Sequence, residues 1–249
     1  MANTINSTFE FIYLFVQTIY RCITPPFKWK NLLHQFVFVA YESAPIVVFC
    51  VSFAAVVTII EASFHMKLVI QNDSLVPGFA ALLILRELGA VVSALLITSR
   101  VGAGLAAEVG SMKVTEQIDA LVMLGIDPIR FLVVPRFLAC ILGGVLLSVL
   151  ANLVCLYCAM LVSQWSLGYS IGSFMMSMRA FVEFKDLIFS AIKGASFGAI
   201  IPLFSCFFGF RCKPGADGVG LATTNSVVAT SVAIIVIDFI LSWVFTHFY

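Results

Sequence analysis

Four charged side chains interrupt long apolar runs of this chain and are its best candidates for chemistry. Arg86 and Glu87 are adjacent in one run, Lys193 lies in a second run and Asp238 in a third. An Arg, Lys or Asp placed in hydrocarbon costs roughly 2.5–3.5 kcal/mol, so such residues serve a purpose. They either form ion pairs that fix packing, for instance Arg86 with Asp238 or Lys193 with Glu87, or they line a water-accessible pocket for a charged ligand.

A second polar set lies in the predicted loop from Arg100 to Arg136, which reads RVGAGLAAEVGSMKVTEQIDALVMLGIDPIRFLVVPR. Apolar residues recur there at helical spacing, and polar residues cover the opposite face. The apolar set is Val114, Ile118, Leu121 and Val122, and the polar set is Lys113, Glu116, Gln117 and Asp119. This pattern predicts a short amphipathic helix over Val114–Leu124, ended by Gly125 and Pro128. On periodicity alone, its apolar face could simply pack on the rest of the protein.

The composition identifies the elements that must position these residues. Hydrophobic residues make up 61% of the chain and charged residues only 11%, against about 25% in soluble domains. The apolar runs are long enough for spanning helices rather than barrel strands. We therefore predict an all-α integral membrane protein with five transmembrane helices, near Ala44–Ile70, Leu75–Thr98, Phe131–Ser163, Leu187–Phe210 and Leu221–Phe248. In such a protein the charged ligand of Arg86 and Lys193 would be a lipid headgroup, zwitterionic or anionic.

Residues 1–35 mix apolar and basic side chains around Pro25 and Pro26 and are predicted to form an interfacial segment, whereas residues 36–249 form one transmembrane domain. A cleaved signal peptide is less favoured, because the basic residues follow the apolar stretch.

Cytoplasmic loops are enriched in Lys and Arg, which predicts a cytoplasmic N-terminus and an external C-terminus at Tyr249. The predicted cytoplasmic set is Arg21, Lys28, Lys30, Arg100, Lys113, Arg130, Arg136, Arg211 and Lys213; the external set is Lys67, Arg179 and Lys185. The segment Gln164–Asp186 is then the larger external connection.

Several other kinds of chemistry find no support in the sequence. Cys155 and Cys158 form a CxxC inside an apolar run without a His or acidic neighbour, which favours packing over metal binding. The chain has no GxxxxGK[ST] loop to hold ATP and no basic patch for nucleic acid. We therefore predict no catalytic residue, no metal ligand and no cofactor.

The stretch from Arg100 to Arg136 resembles the signature of the MlaE/YrbE-type permeases of ABC lipid transporters, and the match is specific. A second segment, GVGLATTNSVV from Gly218 followed by DFIL from Asp238, is similar to the last-helix motif of that family. Together with RELG at residues 86–89, the resemblance covers roughly residues 75–248. The chain departs from the pattern at Ala90, where many members carry Pro, and at Val122, where an acidic residue is common.

The resemblance implies a permease subunit in a homodimer that moves phospholipid or a related lipid and is driven by a separate cytoplasmic ATPase. It also implies an inner-membrane location and an MCE-type lipid-binding partner. The helix over Val114–Leu124 would be the coupling helix that contacts the ATPase. The residues expected in this coupling region are Glu108, Glu116, Gln117, Asp119, Asp127 and Arg130. Structural pairing of Arg130 and Arg136 with Asp127 or Glu108 is the alternative. Arg86, Glu87, Lys193 and Asp238 are the expected lipid-binding residues.

Two other classes of protein stay open. A stand-alone secondary transporter or channel would be expected to show an internal repeat, and none is visible. A membrane enzyme would need a clustered nucleophile and base, whereas the histidines lie far apart. The one close pair, Glu61 and His65, is four residues apart and is better read as a local hydrogen bond.

Small residues recur along one later helix. They are Ala191, Gly194, Ala195, Gly198 and Ala199, at three- and four-residue spacing. A stripe of this kind lets two helices approach closely. The sequence leaves open whether the neighbouring helix belongs to the same bundle or to a second copy at a dimer seam.

Overall fold

The computed structural model describes residues 2–23, 29–69, 76–166 and 168–248. Within these ranges the regular structure is entirely helical and contains no strand, which confirms the all-α class. Five helical stretches of the described residues are long and apolar enough to cross a membrane, which confirms the five predicted spans. They are Trp29–Met66, Val76–Val114, Ile129–Ser166, Phe184–Phe210 and Ala216–His247.

The described residues form α-helices interrupted by π-helical segments. The α-helices are α1 (Ala2–Ile23), α2 (Trp29–Phe36), α3 (Ala44–Val69), α4 (Val76–Leu83), α5 (Gly89–Ile97), α6 (Ala103–Val114), α7 (Gln117–Met123), α8 (Val134–Ser166), α9 (Ile171–Phe181), α10 (Phe184–Phe210) and α11 (Ala216–Phe248). The π segments are π1 (Val37–Tyr41), π2 (Ile84–Leu88), π3 (Thr98–Gly102) and π4 (Ile129–Val133). Arg86, Arg100 and Arg130 each lie in one of them. Such π segments are frequent at functional sites.

The chain folds into two compact units. Unit I contains residues 1–43, 97–143 and 196–237, and unit II contains residues 44–96, 144–195 and 238–249. In unit II, Val47, Val51, Ala55 and Ile59 recur every four residues and present one fully buried stripe of α3. Small residues of α8 and Phe174 of α9 pack in the same cluster. The periodicity of the apolar residues is therefore enough to explain which face of α3 is inside.

Unit I has smaller apolar clusters that hold its helices together. Leu14 of α1 packs with Phe137 of α8 and Leu203 of α10, and Phe11 contacts the rings of Phe204 and Phe207. The opposite face of α1 exposes large apolar side chains, among them Phe9, Ile12, Tyr13, Val16 and Tyr20. Pro25, Pro26, Lys28 and Tyr249, which entered the predictions above, lie outside the described residues.

One part of the predicted layout is wrong, and one helix was not predicted. The Arg100–Arg136 stretch is not a loop up to its amphipathic helix, since α6 continues the second span to Val114 and buries Leu105 and Val109. The connection Gln164–Asp186 contains a helix, α9, which the sequence analysis missed. Ser170 caps α9 by accepting a hydrogen bond from the Ser173 amide at 3.1 Å, a signal that the sequence did contain.

The small-residue stripe of α10 packs against α8 of the same chain. A Cβ atom at Gly194 would collide with Ser148, and one at Gly198 would collide with the carbonyl oxygen of Cys140. At these two glycines the close approach that the stripe predicts is therefore made within the bundle.

Replacing Gly198 with alanine should destabilise the protein by about 1–3 kcal/mol, because backbone atoms of α8 would have to move away from the new methyl group. The measurement is the midpoint of thermal unfolding in detergent. Gly220→Ala in α11 is the control, since no atom lies within 4 Å of its added Cβ. Equal midpoints for the two variants would contradict this account of the α8–α10 contact.

Candidate functional site

Lys193 is the centre of a charge cluster in unit II. Its side chain is fully buried, and its Nζ donates hydrogen bonds to Glu87 Oε2 at 3.0 Å and to the Arg86 carbonyl oxygen at 2.8 Å. Asp238 Oδ1 lies 2.6 Å from Nζ as an ion pair without hydrogen-bond geometry. Two carboxylates and a carbonyl therefore compensate one buried ammonium, as a charge removed from water requires.

The π2 segment supplies the carbonyl of this cluster. Arg86 and Glu87 both lie in π2, where hydrogen bonds join residues five apart, as from the Gly89 amide to the Ile84 carbonyl. A π turn disturbs the regular i to i+4 ladder, and side-chain donors can then bond to the backbone. Ser242 of α11 adds a hydrogen bond to Glu87 Oε1 at 3.2 Å. Helices α10 and α11 thus both contribute to holding Glu87.

Arg86 forms a second ion pair, with Asp186, which the sequence analysis missed. The distance from Arg86 Nε to Asp186 Oδ1 is 2.8 Å, and the Asp186 side chain is fully buried. Asp186 Oδ2 also accepts the Glu183 amide at 2.9 Å, so that this carboxylate caps the start of α10. The capping pattern was a sequence signal that could have drawn attention to Asp186.

Two stacked phenylalanines lie beside both cations. The Phe189 and Phe245 rings stack with centroids 4.0 Å apart. Lys193 Nζ is 4.9 Å from the Phe189 centroid, and the Arg86 guanidinium carbon is 5.2 Å from that of Phe245. Cation–π contacts of this kind are stronger where water is excluded.

The four expected lipid-binding residues therefore come together, although not in all the expected pairs. Lys193 pairs with Glu87 as one alternative predicted, whereas Arg86 does not pair with Asp238. The side chains of the cluster differ in their exposure. The Glu87 side chain is 45% exposed and that of Arg86 is 28% exposed, while Lys193 and Asp186 have no exposed side-chain surface. Asp238 is intermediate at 19%, so Glu87 and Arg86 are the two most exposed charged side chains of the cluster.

The second candidate surface is α7 in unit I. The predicted helix over Val114–Leu124 is wrong at its start, because Glu116 adopts a left-handed conformation with φ of 58° and separates α6 from α7. Ile118 is buried, as predicted, but Val122 is 56% exposed, Met123 88% and Leu124 74%. Gly125 follows with a positive φ of 72°, as expected of a residue that ends a helix.

The polar residues around α7 divide between exposed and paired positions. Glu116 and Gln117 are exposed, and Asp119 forms an exposed ion pair with Lys113 at 3.0 Å. Asp127 pairs with Arg21 of α1, and Arg136 pairs with Glu108 at 2.8 Å. The predicted pairing of Arg136 with Glu108 is thus present, while Arg130 lies half-buried in π4.

The described residues contain no candidate metal centre. No three of their His, Cys, Asp or Glu side chains come close enough to hold a metal ion. Cys155 is buried and its thiol contacts the Val51 carbonyl oxygen at 3.3 Å, which is the environment of a packing residue. His65 and Glu61 form an exposed pair at 3.5 Å on one turn of α3.

Comparison with known proteins gives one consistent family. The family model described as Permease MlaE matches residues 32–244. A probable ABC transporter permease protein of Rickettsia typhi is 33% identical over 220 residues, covering 88% of this chain and 85% of that protein. One from Synechocystis is 36% identical, with coverage of 86% and 81%. The intermembrane phospholipid transport system permease protein MlaE of Haemophilus influenzae is 38% identical over 163 residues, covering 65% of this chain and 62% of that protein. The chain therefore belongs to the MlaE permease family and is a multi-pass membrane permease subunit rather than an enzyme.

Proposed function

We propose that this chain is the permease subunit of an ABC transporter that moves phospholipid or a related lipid in the inner membrane, powered by a separate cytoplasmic ATPase. The name of the Haemophilus influenzae relative supports the cargo, and the names of the Rickettsia and Synechocystis relatives support the ATPase-driven system. The observation that carries the proposal is the charge cluster of unit II, which keeps a partly exposed cation and a partly exposed anion among apolar helices.

The division of exposure within this cluster suggests how a headgroup binds. Arg86 offers a guanidinium to a lipid phosphate, with which it can form paired hydrogen bonds. Glu87 offers a carboxylate to a positively charged headgroup. Asp186 positions Arg86 through its ion pair, and Lys193 positions Glu87 in the same way. Asp238 pairs with Lys193. Two cations face three carboxylates in the cluster, which favours a zwitterionic headgroup over a purely anionic one.

The ATPase binds at α7 in this proposal. Val122, Met123 and Leu124 form an exposed apolar tip, and the acidic residues Glu116 and Asp119 lie beside it. An apolar anchor with a polar rim is the usual composition of an interface that carries binding energy. Glu116, Gln117 and Asp119 form the rim, while Glu108, Asp127 and Arg130 support the connection from within unit I.

The arrangement in the membrane and the assembly belong to the same proposal. The excess of Lys and Arg near α7 and α1 supports a cytoplasmic N-terminus, with residues 1–35 lying in the interface and the C-terminus outside. The exposed apolar face of α1 supports contact of this helix with lipid. The resemblance to the family supports a homodimeric permease that works together with an MCE-type lipid-binding subunit.

Glu87→Gln should reduce labelling by a photoreactive phospholipid about tenfold, because a charged contact to the headgroup becomes a neutral one. The fold should persist, since the amide oxygen can still accept from Lys193. The measurement is covalent labelling of the purified chain in liposomes. Glu61→Gln, which changes an exposed carboxylate of the same unit, is the control and should be labelled like the parent. Equal labelling of both variants would remove Glu87 from the lipid site.

Lys193→Met should lower the stability of the folded protein by about 3–5 kcal/mol, because Glu87 and Asp238 would keep their charges without a counterion. Thermal unfolding in detergent measures the change. Lys185→Met is the matched control, since Lys185 is exposed on the same helix and its ion pair with Glu183 is a surface one. A Lys193 variant as stable as the control would show that the cluster does not hold the helices together.

Met123→Asp should abolish co-purification of the ATPase, because a carboxylate replaces the most exposed residue of the apolar tip. Met176→Asp, at an exposed position of α9, should keep the ATPase bound.

Changing Glu116 and Asp119 together to Lys should uncouple ATP hydrolysis from lipid transport. Retention of the ATPase by Met123→Asp, with unchanged lipid-stimulated hydrolysis in the double variant, would refute α7 as the coupling helix.

A further inference from the structure

Helix α9 of unit II has one face packed on protein and one exposed face. Phe174 is buried in the core of unit II, and the Ser177 hydroxyl accepts a hydrogen bond from the Gly78 amide of α4 at 3.0 Å. A Cβ atom at Gly78 would collide with Phe181 and Ser177, so α9 lies directly on α4. The residues of the exposed face are Ile171, Gly172, Met175, Met176, Arg179 and Ala180.

The composition of this face is not that of a helix surrounded by water. Met176 is 77% exposed, Ile171 46% and Met175 42%. Arg179 is the one charged residue in the sequence of α9. Ser173, at the edge of the face, donates its hydroxyl to the Ser170 carbonyl oxygen at 2.8 Å. A helix in water carries polar or charged residues on its outer side, so the exposed face of α9 needs an apolar environment.

The two spanning helices that flank α9 indicate which environment this is. Exposed apolar residues recur every four residues along α8 and end one residue before its last residue; they are Leu153, Tyr157, Leu161 and Trp165. A second row with the same spacing begins at the first residue of α10; it consists of Phe184, Ile188 and Ile192. Both helices are long and apolar enough to cross a membrane, so lipid is the natural solvent of both rows.

Trp165 and Phe184 define the level of α9 relative to these spans. Trp165 is 89% exposed at the end of α8, and tryptophans at the ends of spans lie at the level of the lipid headgroups. Phe184 is 75% exposed at the start of α10. Only residues 182 and 183 separate α9 from α10, so the end of α9 is at most about 11 Å from that start. Helix α9 is therefore held at the membrane interface.

The charges around α9 suit the lipid phosphates of that interface. Lys185 and Glu183 are both exposed and pair with each other at 3.6 Å, so their charges largely cancel. Arg179 is then the cation that gives this surface its net charge. A long cationic side chain can lay its alkyl part on apolar surface while its head reaches a polar layer. A phosphate oxygen is a good acceptor for a guanidinium.

We propose that α9 is an interfacial helix that binds the lipid surface at the ends of α8 and α10, with Ile171, Met175 and Met176 among acyl chains and Arg179 on a lipid phosphate. The occupant is bilayer lipid rather than a second copy or another protein, because the face continues two rows of lipid-exposed residues and carries a cation without a carboxylate. This inference does not rest on the proposed function.

The first arm of the test uses the unmodified chain in nanodiscs of phosphatidylcholine and phosphatidylglycerol, which leave both faces of the membrane in contact with water. Hydroxyl radicals are generated in the water, and mass spectrometry measures the oxidation of each methionine. Met123 at the tip of α7 is 88% exposed and serves as the internal control. Met176 should be oxidised about tenfold more slowly than Met123, because acyl chains cover it. Equal rates would overturn the inference.

The second arm identifies what covers the helix. Met176→p-benzoylphenylalanine is photoactivated in the same nanodiscs and in native membranes, and the mass of the product is measured. A lipid adduct in both settings supports the inference. A product with a second copy or with another protein, without a lipid adduct, overturns it. Met123→p-benzoylphenylalanine is the matched control and should give no lipid adduct, since this position is proposed to face the ATPase.

The third arm tests Arg179. Arg179→Gln should lower the ratio of phosphatidylglycerol to phosphatidylcholine adducts at position 176 about fivefold, since a basic residue near an anionic surface contributes about 1 kcal/mol. Arg211→Gln removes an exposed guanidinium of unit I and should leave the ratio unchanged. An unchanged ratio in Arg179→Gln would overturn the contact between Arg179 and lipid.

Failure of this inference is distinguishable from failure of the proposed function. A chain that moves lipid with ATP while Met176 is oxidised as fast as Met123 overturns the inference alone. A chain whose Met176 is protected and gives lipid adducts, but that moves no lipid with ATP, overturns the proposed function alone.

Discussion

The electrostatic compensation of Lys193 is the constraint on which the rest of unit II depends. An ammonium with no exposed surface, on a helix otherwise built for an apolar environment, is tolerable only with counterions at hydrogen-bond distance. Glu87 comes from π2 and Asp238 from α11, so satisfying one charge fixes the mutual positions of three helices. The same constraint leaves Glu87 and Arg86 as the members of the cluster with substantial charged surface.

The glycines that allow close helix packing lie directly beside residues of the charge cluster. Gly194 follows Lys193 directly, and a side chain at Gly194 would collide with Ser148 of α8. Gly89 follows π2 directly, and a side chain there would collide with the amide oxygen of Asn152, whose amide nitrogen donates to Ser190 at 2.7 Å. Close helix approach at these glycines leaves Lys193 without exposed side-chain surface. The low dielectric that results makes the ion pairs stronger and makes the loss of one partner more costly.

Much of this arrangement could be predicted from the sequence. Five spans follow from apolar length, and a Lys193–Glu87 pair follows from the cost of isolated charges in hydrocarbon. The partner of Arg86 could not be predicted, because a π segment adds a residue to the helical turn and so changes which face Arg86 occupies. The ion-pairing role of Asp186 could not be predicted for a different reason. It was assigned to an external connection, although it lies in the first turn of α10.

In unit I, the residue at which α7 begins could not be predicted from the sequence. Periodicity placed Val114 and Ile118 on one helix, but the left-handed Glu116 ends that register and sets α7 at a new direction. A left-handed residue other than glycine is uncommon and costs roughly 1–3 kcal/mol, so it persists only where surrounding contacts require it. The Lys113–Asp119 pair joins α6 to α7 across this residue, and Ile118 is buried in the apolar cluster of Val109 and Leu132. Ile118 therefore anchors the first turn of α7 on the unit, whereas Val122, Met123 and Leu124 at the far end of α7 are exposed and form the apolar tip proposed to contact the ATPase.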